Sequence, residues 1–81
     1  MIDIIQKELE HANSKFPNFN TPHEGYAVIK EELDELWDEV RNVKYPVTKT
    51  NLGIMKNECV QIAAMCIKFV DSFDNYVDFN K

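Results

Sequence analysis

The sequence predicts an all-α fold in which three helices form a bundle that further copies of the chain complete. Apolar residues recur at helical spacing in three separate segments, and no segment alternates as a strand would. The chain has only two glycines and three prolines among its 81 residues, and each proline lies at an end of a segment or between segments. With 44% hydrophobic residues, the composition is that of one folded domain spanning residues 1–81.

The small size of the chain suggests homo-oligomerisation. A domain this short buries only about 60% of the surface that its unfolded chain exposes, so its own core gives marginal stability. Association with further copies is a common remedy, and we expect a homodimer or homotetramer.

The first two helices have clear boundaries in the sequence. Residues 2–15 place Ile2, Ile5, Leu9 and Ala12 on one face, and Pro17 ends that helix. The stretch "TPHE" then predicts a helix start, because Thr21 can cap, Pro22 suits the first position and Glu24 can complete a capping box. This second helix should run to about Val43, since Pro46 disfavours a helical Tyr45.

The third helix should begin near Asn51, with Thr48, Thr50 or Asn51 as its cap. Its apolar residues keep one heading over many turns, which predicts either a single long helix that reaches into "NYVDFN" or a frayed end. The residues that share this heading are Met55, Glu58, Ile62, Met65, Phe69, Phe73 and Tyr76.

Charge and cysteine content exclude several classes of partner. The net charge is −5 and no Lys/Arg cluster is present, which argues against duplex nucleic acid and anionic membranes as partners. We predict no signal peptide and no membrane span. Cys59 and Cys66 lie two turns apart on one helix, too far to pair, and we interpret them as reduced core thiols of a cytoplasmic protein.

Several glutamates fall where apolar residues are expected. On a helical wheel Glu32 lies between Val28 and the apolar arc of the second helix, with Glu35 and Glu39 just beyond it. The residues of that arc are Gly25, Ile29, Leu33, Leu36, Trp37, Val40 and Val43. Glu58 lies in the middle of the most apolar face of the third helix. A buried ionised carboxylate costs several kcal/mol unless it is paired, hydrogen-bonded or bound to a metal.

A divalent cation is one of four ways to compensate these carboxylates; the others are a basic residue, a polar network and protonation. The basic residues Lys30, Arg41, Lys56 and Lys68 fall off the inward arcs. Glu32 and Glu35 are one turn apart, as are Glu58 and Gln61, so side-by-side helices would form an oxygen-rich site for Mg²⁺ or Mn²⁺. A solvated charged edge for the first pair, or a structural network around Glu58, stays open.

Two short motifs resemble a known family. "EELDE", residues 31–35, is similar to the EExxE motif of the MazG-like all-α nucleoside triphosphate pyrophosphohydrolases, and "ECVQ", residues 58–61, stands in the place of their ExxD motif. The likeness looks closest to small, phage-type, single-domain members. It implies Mg²⁺-dependent cleavage of a (deoxy)nucleoside triphosphate between its α and β phosphates, giving a monophosphate and pyrophosphate.

Carried over by position, the resemblance makes Glu32, Glu35 and Glu58 metal ligands, with Gln61 in the fourth ligand position. Glu31 would be a further ligand or, with Glu35, a catalytic group orienting the attacking water. Gln61 departs from the family pattern, because an amide has one usable oxygen and no negative charge. The alternative function is therefore a catalytically weak or inactive module that binds a nucleotide or a protein, or a plain dimeric helical regulator.

Four further residues are candidates for contacting the nucleotide. Lys30 could touch a phosphate, Phe19 and His23 flank the start of the second helix where a base could lie, and Trp37 could stack on a base. Each also has an ordinary explanation: a solvated lysine, a hydrophobic staple, or a core or oligomer contact.

Overall fold

Three long helices and one short helix make up the part of the chain that the structure describes. The computed structural model describes residues 1–77, with α1 at Ile2–Lys15, α2 at Pro22–Asn42, α3 at Lys49–Asp71 and α4 at Phe73–Tyr76. No strand occurs within these residues, so the all-α prediction is confirmed. The predicted bounds of α1 and α2 agree with the structure to within one residue, and α3 starts two residues earlier than predicted.

Side-chain caps set the starts of the two longest helices. The Thr21 hydroxyl accepts a hydrogen bond from the Glu24 backbone N–H at 3.1 Å, and Glu24 Oε2 accepts one from the Asn20 N–H at 3.2 Å. The second bond reaches one residue further back than in the usual capping box. For α3, Thr48 is the cap and accepts from the Asn51 N–H at 3.1 Å.

Helix α3 is the central element, because it packs against both α1 and α2. The buried core residues are Leu9, Phe19, Ala64 and Met65. Gly25 lets α2 approach this core closely: a Cβ atom there would lie 2.5 Å from Phe69 Cδ2 and 2.9 Å from Phe19 Cδ2.

Of the two alternatives predicted for the third helix, the single uninterrupted helix is wrong, because the helix breaks at Ser72. The Ser72 hydroxyl donates to the Lys68 carbonyl at 2.6 Å and accepts from the Phe19 N–H at 3.0 Å. A serine that bonds the carbonyl four residues back competes with the regular helical bond, and here it also ties α3 to the α1–α2 connector. Residues 78–80 of "NYVDFN" lie outside the described residues.

The surface of α2 also differs from the helical-wheel prediction. Leu33, Trp37 and Val40 were expected on the inward arc, yet they are 48%, 60% and 42% exposed. The less exposed side of α2 is instead formed by Gly25, Val28, Ile29, Glu32, Leu36 and Glu39. The inward face is therefore rotated toward the glutamates.

The cysteine prediction is half right. Both Cys59 and Cys66 are free thiols, but both are exposed and neither belongs to the core. Among residues 1–77, no helix combines the length and apolar character needed to cross a membrane.

Candidate metal centre

Three glutamates from two helices meet at one point between α2 and α3. Glu32 and Glu35 lie one turn apart on α2, and Glu58 faces them from α3. One carboxylate oxygen from each of the three lies within 4.8 Å of the other two. The predicted convergence of these side chains is therefore confirmed.

Two of the carboxylates carry a buried oxygen that nothing else in the described chain satisfies. Oε2 of Glu32 and Oε2 of Glu58 are buried and have no hydrogen-bond partner within residues 1–77. The only ion pairs in that part of the chain are Lys30–Asp34 and Arg41–Asp38, both exposed. The three glutamates thus face each other without a basic side chain between them.

The crowding of like charges shows in the pKa values. Burial, followed by the negative charge of Glu35, raises the pKa of Glu32 to about 7. Burial and the neighbouring Glu35 also raise the pKa of Glu58 above its usual value. Without a cation, ionising all three carboxyl groups costs free energy, and the cluster tends to keep a proton instead.

Three further polar residues lie within one or two helical turns of a member of the cluster: Gln61, Glu31 and Glu39. Gln61 is half-buried and follows Glu58 by one turn of α3. Glu31 is exposed and lies outside the trio, although its charge contributes to the raised pKa of Glu32. Glu39 is half-buried, and its charge contributes to the raised pKa of Glu58.

The four candidates for nucleotide contact do not come together. Phe19 is 5% exposed and lines a cavity that also reaches Glu32. Lys30 pairs with Asp34 on the exposed side of α2. His23 lies in a shallow groove with Tyr26 and Phe69, and Trp37 lies in another with Leu33 and Val40.

The cavity beside Glu32 has a volume of about 350 Å³ and contains a residue that the helical wheel misplaced. Lys68 was expected to point away from the interior, yet it is only 2% exposed. Its Nζ donates to the Phe16 carbonyl at 3.2 Å and lies 5.5 Å from the centre of the Phe19 ring. Burial lowers the pKa of Lys68, and the charge of Glu24 acts in the opposite direction.

One pattern in the sequence could have predicted that Lys68 faces the interior. Steps of three and four residues along α3 place one series of polar and apolar side chains on a single stripe: Glu58, Gln61, Met65, Lys68 and Ser72. The helical wheel of α3 left Lys68 off the inward face because that face was defined by its apolar residues. The stripe that faces the interior has polar residues at both ends.

The trio has the chemistry of a site for a hard divalent cation. Carboxylate oxygens are the preferred protein ligands of Mg²⁺ and Mn²⁺, and three of them lie on two packed helices. The two unsatisfied buried oxygens fit such an ion, because coordination would compensate the charges that no basic residue compensates.

No protein-family model matches this chain, and neither a curated protein nor a solved structure gives a match. A function for this chain is therefore proposed from its geometry and from the resemblance of its two short motifs.

Proposed function

We propose that the protein is a metal-dependent nucleotide pyrophosphohydrolase that cleaves a (deoxy)nucleoside triphosphate into a monophosphate and pyrophosphate. The observation that carries this proposal is the meeting of Glu32, Glu35 and Glu58 within 4.8 Å, without a basic partner. The resemblance of "EELDE" and "ECVQ" to the MazG-like motifs supplies the reaction, since those motifs contain the same three glutamates.

The cluster suits Mg²⁺ or Mn²⁺ better than a structural role. A structural network would satisfy the buried oxygens of Glu32 and Glu58 with donors from the chain, and residues 1–77 offer none. Mg²⁺ usually keeps water and substrate phosphate oxygens in its coordination shell, and the exposed Glu35 leaves one side of the site open to them.

The glutamates have two tasks in this proposal, and Glu35 takes part in both. Glu32, Glu35 and Glu58 would hold the cation, and Gln61 would offer its amide oxygen next to them. The bound ion would supply Lewis acidity toward the phosphate oxygens. Glu31, exposed beside the trio, and Glu35 orient the attacking water by accepting its hydrogen bonds.

Gln61 supports the alternative, a MazG-like module that binds nucleotide or protein with little turnover. An acid at this position would add a negative charge to the ligand set, and the amide does not. The retained Glu58 supports the enzyme, because replacing an unneeded half-buried charge with an apolar residue is often stabilising.

The exposed apolar surface of α2 supports a homodimer or homotetramer as the working form. The described chain is elongated, 56 × 24 × 18 Å, and its radius of gyration is 15.0 Å. A compact chain of this length has a radius of about 12 Å. Leu33, Trp37 and Val40 are exposed along one side of α2, and a second copy would bury them.

The experiment that tests the function is a metal titration in the presence of substrate. Mg²⁺ and Mn²⁺ are added to the purified protein alone and with each nucleoside triphosphate, while thermal stability and pyrophosphate release are measured. Metal-dependent stabilisation with pyrophosphate release is the expected result. Stabilisation without release would favour the binding module, and no response to either metal would contradict the metal site.

Gln61→Asp gives a direct test of the fourth ligand position. We expect Mg²⁺ to bind more tightly to this variant, because a second charge on α3 joins the ligand set. Calorimetry of Mg²⁺ binding to the variant and to the original protein measures the change. Unaltered affinity would remove residue 61 from the site.

A further inference from the structure

Glu39 is an acidic residue next to the metal centre to which the proposed function gives no role. It is half-buried on α2, one turn after Glu35, and it forms no ion pair with a basic side chain of residues 1–77. A half-buried carboxylate without a partner costs free energy that an apolar side chain would not cost. A nearby cation would compensate this cost.

Helical spacing places Glu39 on the side of α2 that carries the trio. With Glu32 set to zero and about 100° per residue, Glu35 lies at about −60° and Glu39 at about −20°. Burial agrees with this placement, because Glu32 and Glu39 are half-buried whereas the preceding Asp38 is exposed. The Glu39 side chain therefore extends from α2 in a direction between those of Glu32 and Glu35.

The packing of α2 on α3 also puts Glu39 close to Glu58. A Cβ at Gly25 would lie 2.5 Å from Phe69 Cδ2, so these two residues mark the same level of the helix pair. The two helices are joined by a short loop and run in opposite directions. Glu58 is eleven residues before Phe69, which corresponds to the level eleven residues after Gly25, between Glu32 and Glu39. Glu58 thus has one of these glutamates on each side of its own level.

Gln61 and Glu39 lie on opposite sides of Glu58. Because the helices are antiparallel, Gln61, three residues after Glu58, lies toward the start of α2, and Glu39 lies toward its end. Within the described residues, the group of carboxylate oxygens that lie within 4.8 Å of one another includes the trio and not Glu39. The charge of Glu39 nevertheless contributes to the raised pKa of Glu58, so the two carboxylates interact. Glu39 is thus a close neighbour of the ligand set and does not take the place of Gln61 as a ligand.

We propose that Glu39 is a positioning residue of the metal centre, which supplies from outside the ligand set the negative charge that Gln61 lacks. This inference rests on the proposed function, because the trio holds the cation. Mg²⁺ keeps water molecules in its coordination shell, and carboxylates beside a metal site accept hydrogen bonds from its ligands. Glu39 acts in this way from α2, so the chain keeps four carboxylates around the cation although its fourth ligand is an amide.

The first test is calorimetry of Mg²⁺ binding to Glu39→Gln, which keeps the size of the side chain and removes its charge. We expect the affinity to fall by about tenfold or more, because partners of metal ligands typically contribute about 10–100-fold. Asp38→Asn is the matched control, because it removes the same charge from the exposed side of α2. At about 0.15 M salt this distant charge is largely screened, so the control should change the affinity by less than about threefold. Equal losses in the two variants would overturn the proposal, because they would reflect net charge alone.

A double-mutant cycle tests whether Glu39 compensates for Gln61. Gln61→Asp should raise the Mg²⁺ affinity more in the Glu39→Gln protein than in the original protein, where Glu39 already supplies a fourth charge. The double variant should bind Mg²⁺ within about threefold of the original affinity, because the charge moves from one helix to the other. Additive effects of the two substitutions would overturn the compensation.

The outcomes separate this inference from the proposed function. If the original protein binds Mg²⁺ and releases pyrophosphate while Glu39→Gln binds Mg²⁺ equally well, the role of Glu39 is overturned and the pyrophosphohydrolase stands. An original protein that binds no Mg²⁺ would overturn both. In metal-free buffer Glu39→Gln should melt at the same temperature as the original protein or higher. A lower melting temperature would assign Glu39 to a structural contact and overturn the proposal.

Discussion

Glu58 shows how a single residue links the fold to the proposed chemistry. It lies on the side of α3 that faces α2, among residues where an apolar side chain would cost less. Its Oε2 is buried without a partner, and burial, followed by the neighbouring Glu35, raises the pKa of Glu58. The proposed metal centre explains why such a destabilising carboxylate is present, because a bound cation would compensate its charge.

Removing the charge of Glu58 should abolish metal binding without lowering the stability of the metal-free protein. In Glu58→Gln we expect the Mg²⁺-induced rise in melting temperature to vanish and metal-dependent activity to fall by about 100-fold or more, since a cation contributes several kcal/mol. The metal-free variant should be as stable as the original protein or more stable. Thermal melts with and without Mg²⁺ measure both effects. Glu10→Gln, an exposed change on α1, is the control; unfolding of Glu58→Gln would point to a structural network.

Glu32 makes the stability of the protein depend on pH, and Glu58, whose pKa is also raised by burial, acts in the same direction. The folded-state pKa of Glu32 is raised from 4.5 to about 7, so the folded protein binds this proton more tightly than the unfolded chain. The resulting stabilisation is complete below pH 4.5 and is lost as the pH rises through about 7. We therefore expect the melting temperature in metal-free buffer to decrease from about pH 5 to about pH 8.

Two comparisons test this assignment. Glu32→Gln should make the melting temperature less dependent on pH, because the amide does not titrate. In the original protein, saturating Mg²⁺ should reduce the loss of melting temperature at higher pH, because the cation binds the ionised carboxylate. A decrease of the same size in Glu32→Gln would assign the effect to other groups.

At the scale of the elements, the approach of α2 to α3 depends on one glycine. Gly25 is buried, and a Cβ there would meet the rings of Phe69 and Phe19 at 2.5 and 2.9 Å. The same contact positions the start of α2 next to the connector that carries Phe19. The helix pair that brings the glutamates together is therefore held at one end by a residue without a side chain.

Two glycine substitutions should have opposite effects. Gly25→Ala gains about 1 kcal/mol of helix propensity but forces two aromatic rings to move, so we expect a net loss of about 1–2 kcal/mol in the free energy of unfolding. Gly53→Ala on α3 meets nothing within 4 Å and should gain about 0.5–1 kcal/mol. Urea denaturation measures both, and a stabilised Gly25→Ala would contradict the close approach.

For the whole molecule, the long shape and the exposed side of α2 both support the proposed association with further copies. Trp37 is 60% exposed between Leu33 and Val40, where it forms a shallow apolar groove. Exposed apolar surface of this kind usually belongs to an interface. In that arrangement Trp37 has a contact role, and it lies apart from the cavity beside Glu32.

Charging this surface should dissociate the assembly. We expect Trp37→Glu to sediment as a monomer and to melt at a lower temperature than the original protein, because a buried charge at the interface has no partner. Asn13→Glu on the exposed side of α1 adds the same charge without removing apolar area and should stay associated. An original protein that is monomeric in sedimentation would contradict the proposed oligomer.

The sequence by itself determined the helices and the carboxylate trio. The caps Thr21 and Thr48 and the proline positions fix where α2 and α3 begin, and helical periodicity then puts Glu32, Glu35 and Glu58 near the facing sides. These features depend on interactions within a few residues along the chain, which is why local patterns predict them.

Tertiary structure alone decided the rotation of α2, the break at Ser72 and the burial of Lys68. Ser72 binds the Phe19 N–H and Lys68 binds the Phe16 carbonyl, contacts that span 53 and 52 residues of sequence. A helical wheel shows only how the apolar residues of one helix are arranged around its axis. It cannot show which backbone groups of another segment pack against that helix. The residues that line the cavity beside Glu32 were therefore only partly predictable, because a buried lysine with a hydrogen-bond acceptor cannot be distinguished in the sequence from a solvated one.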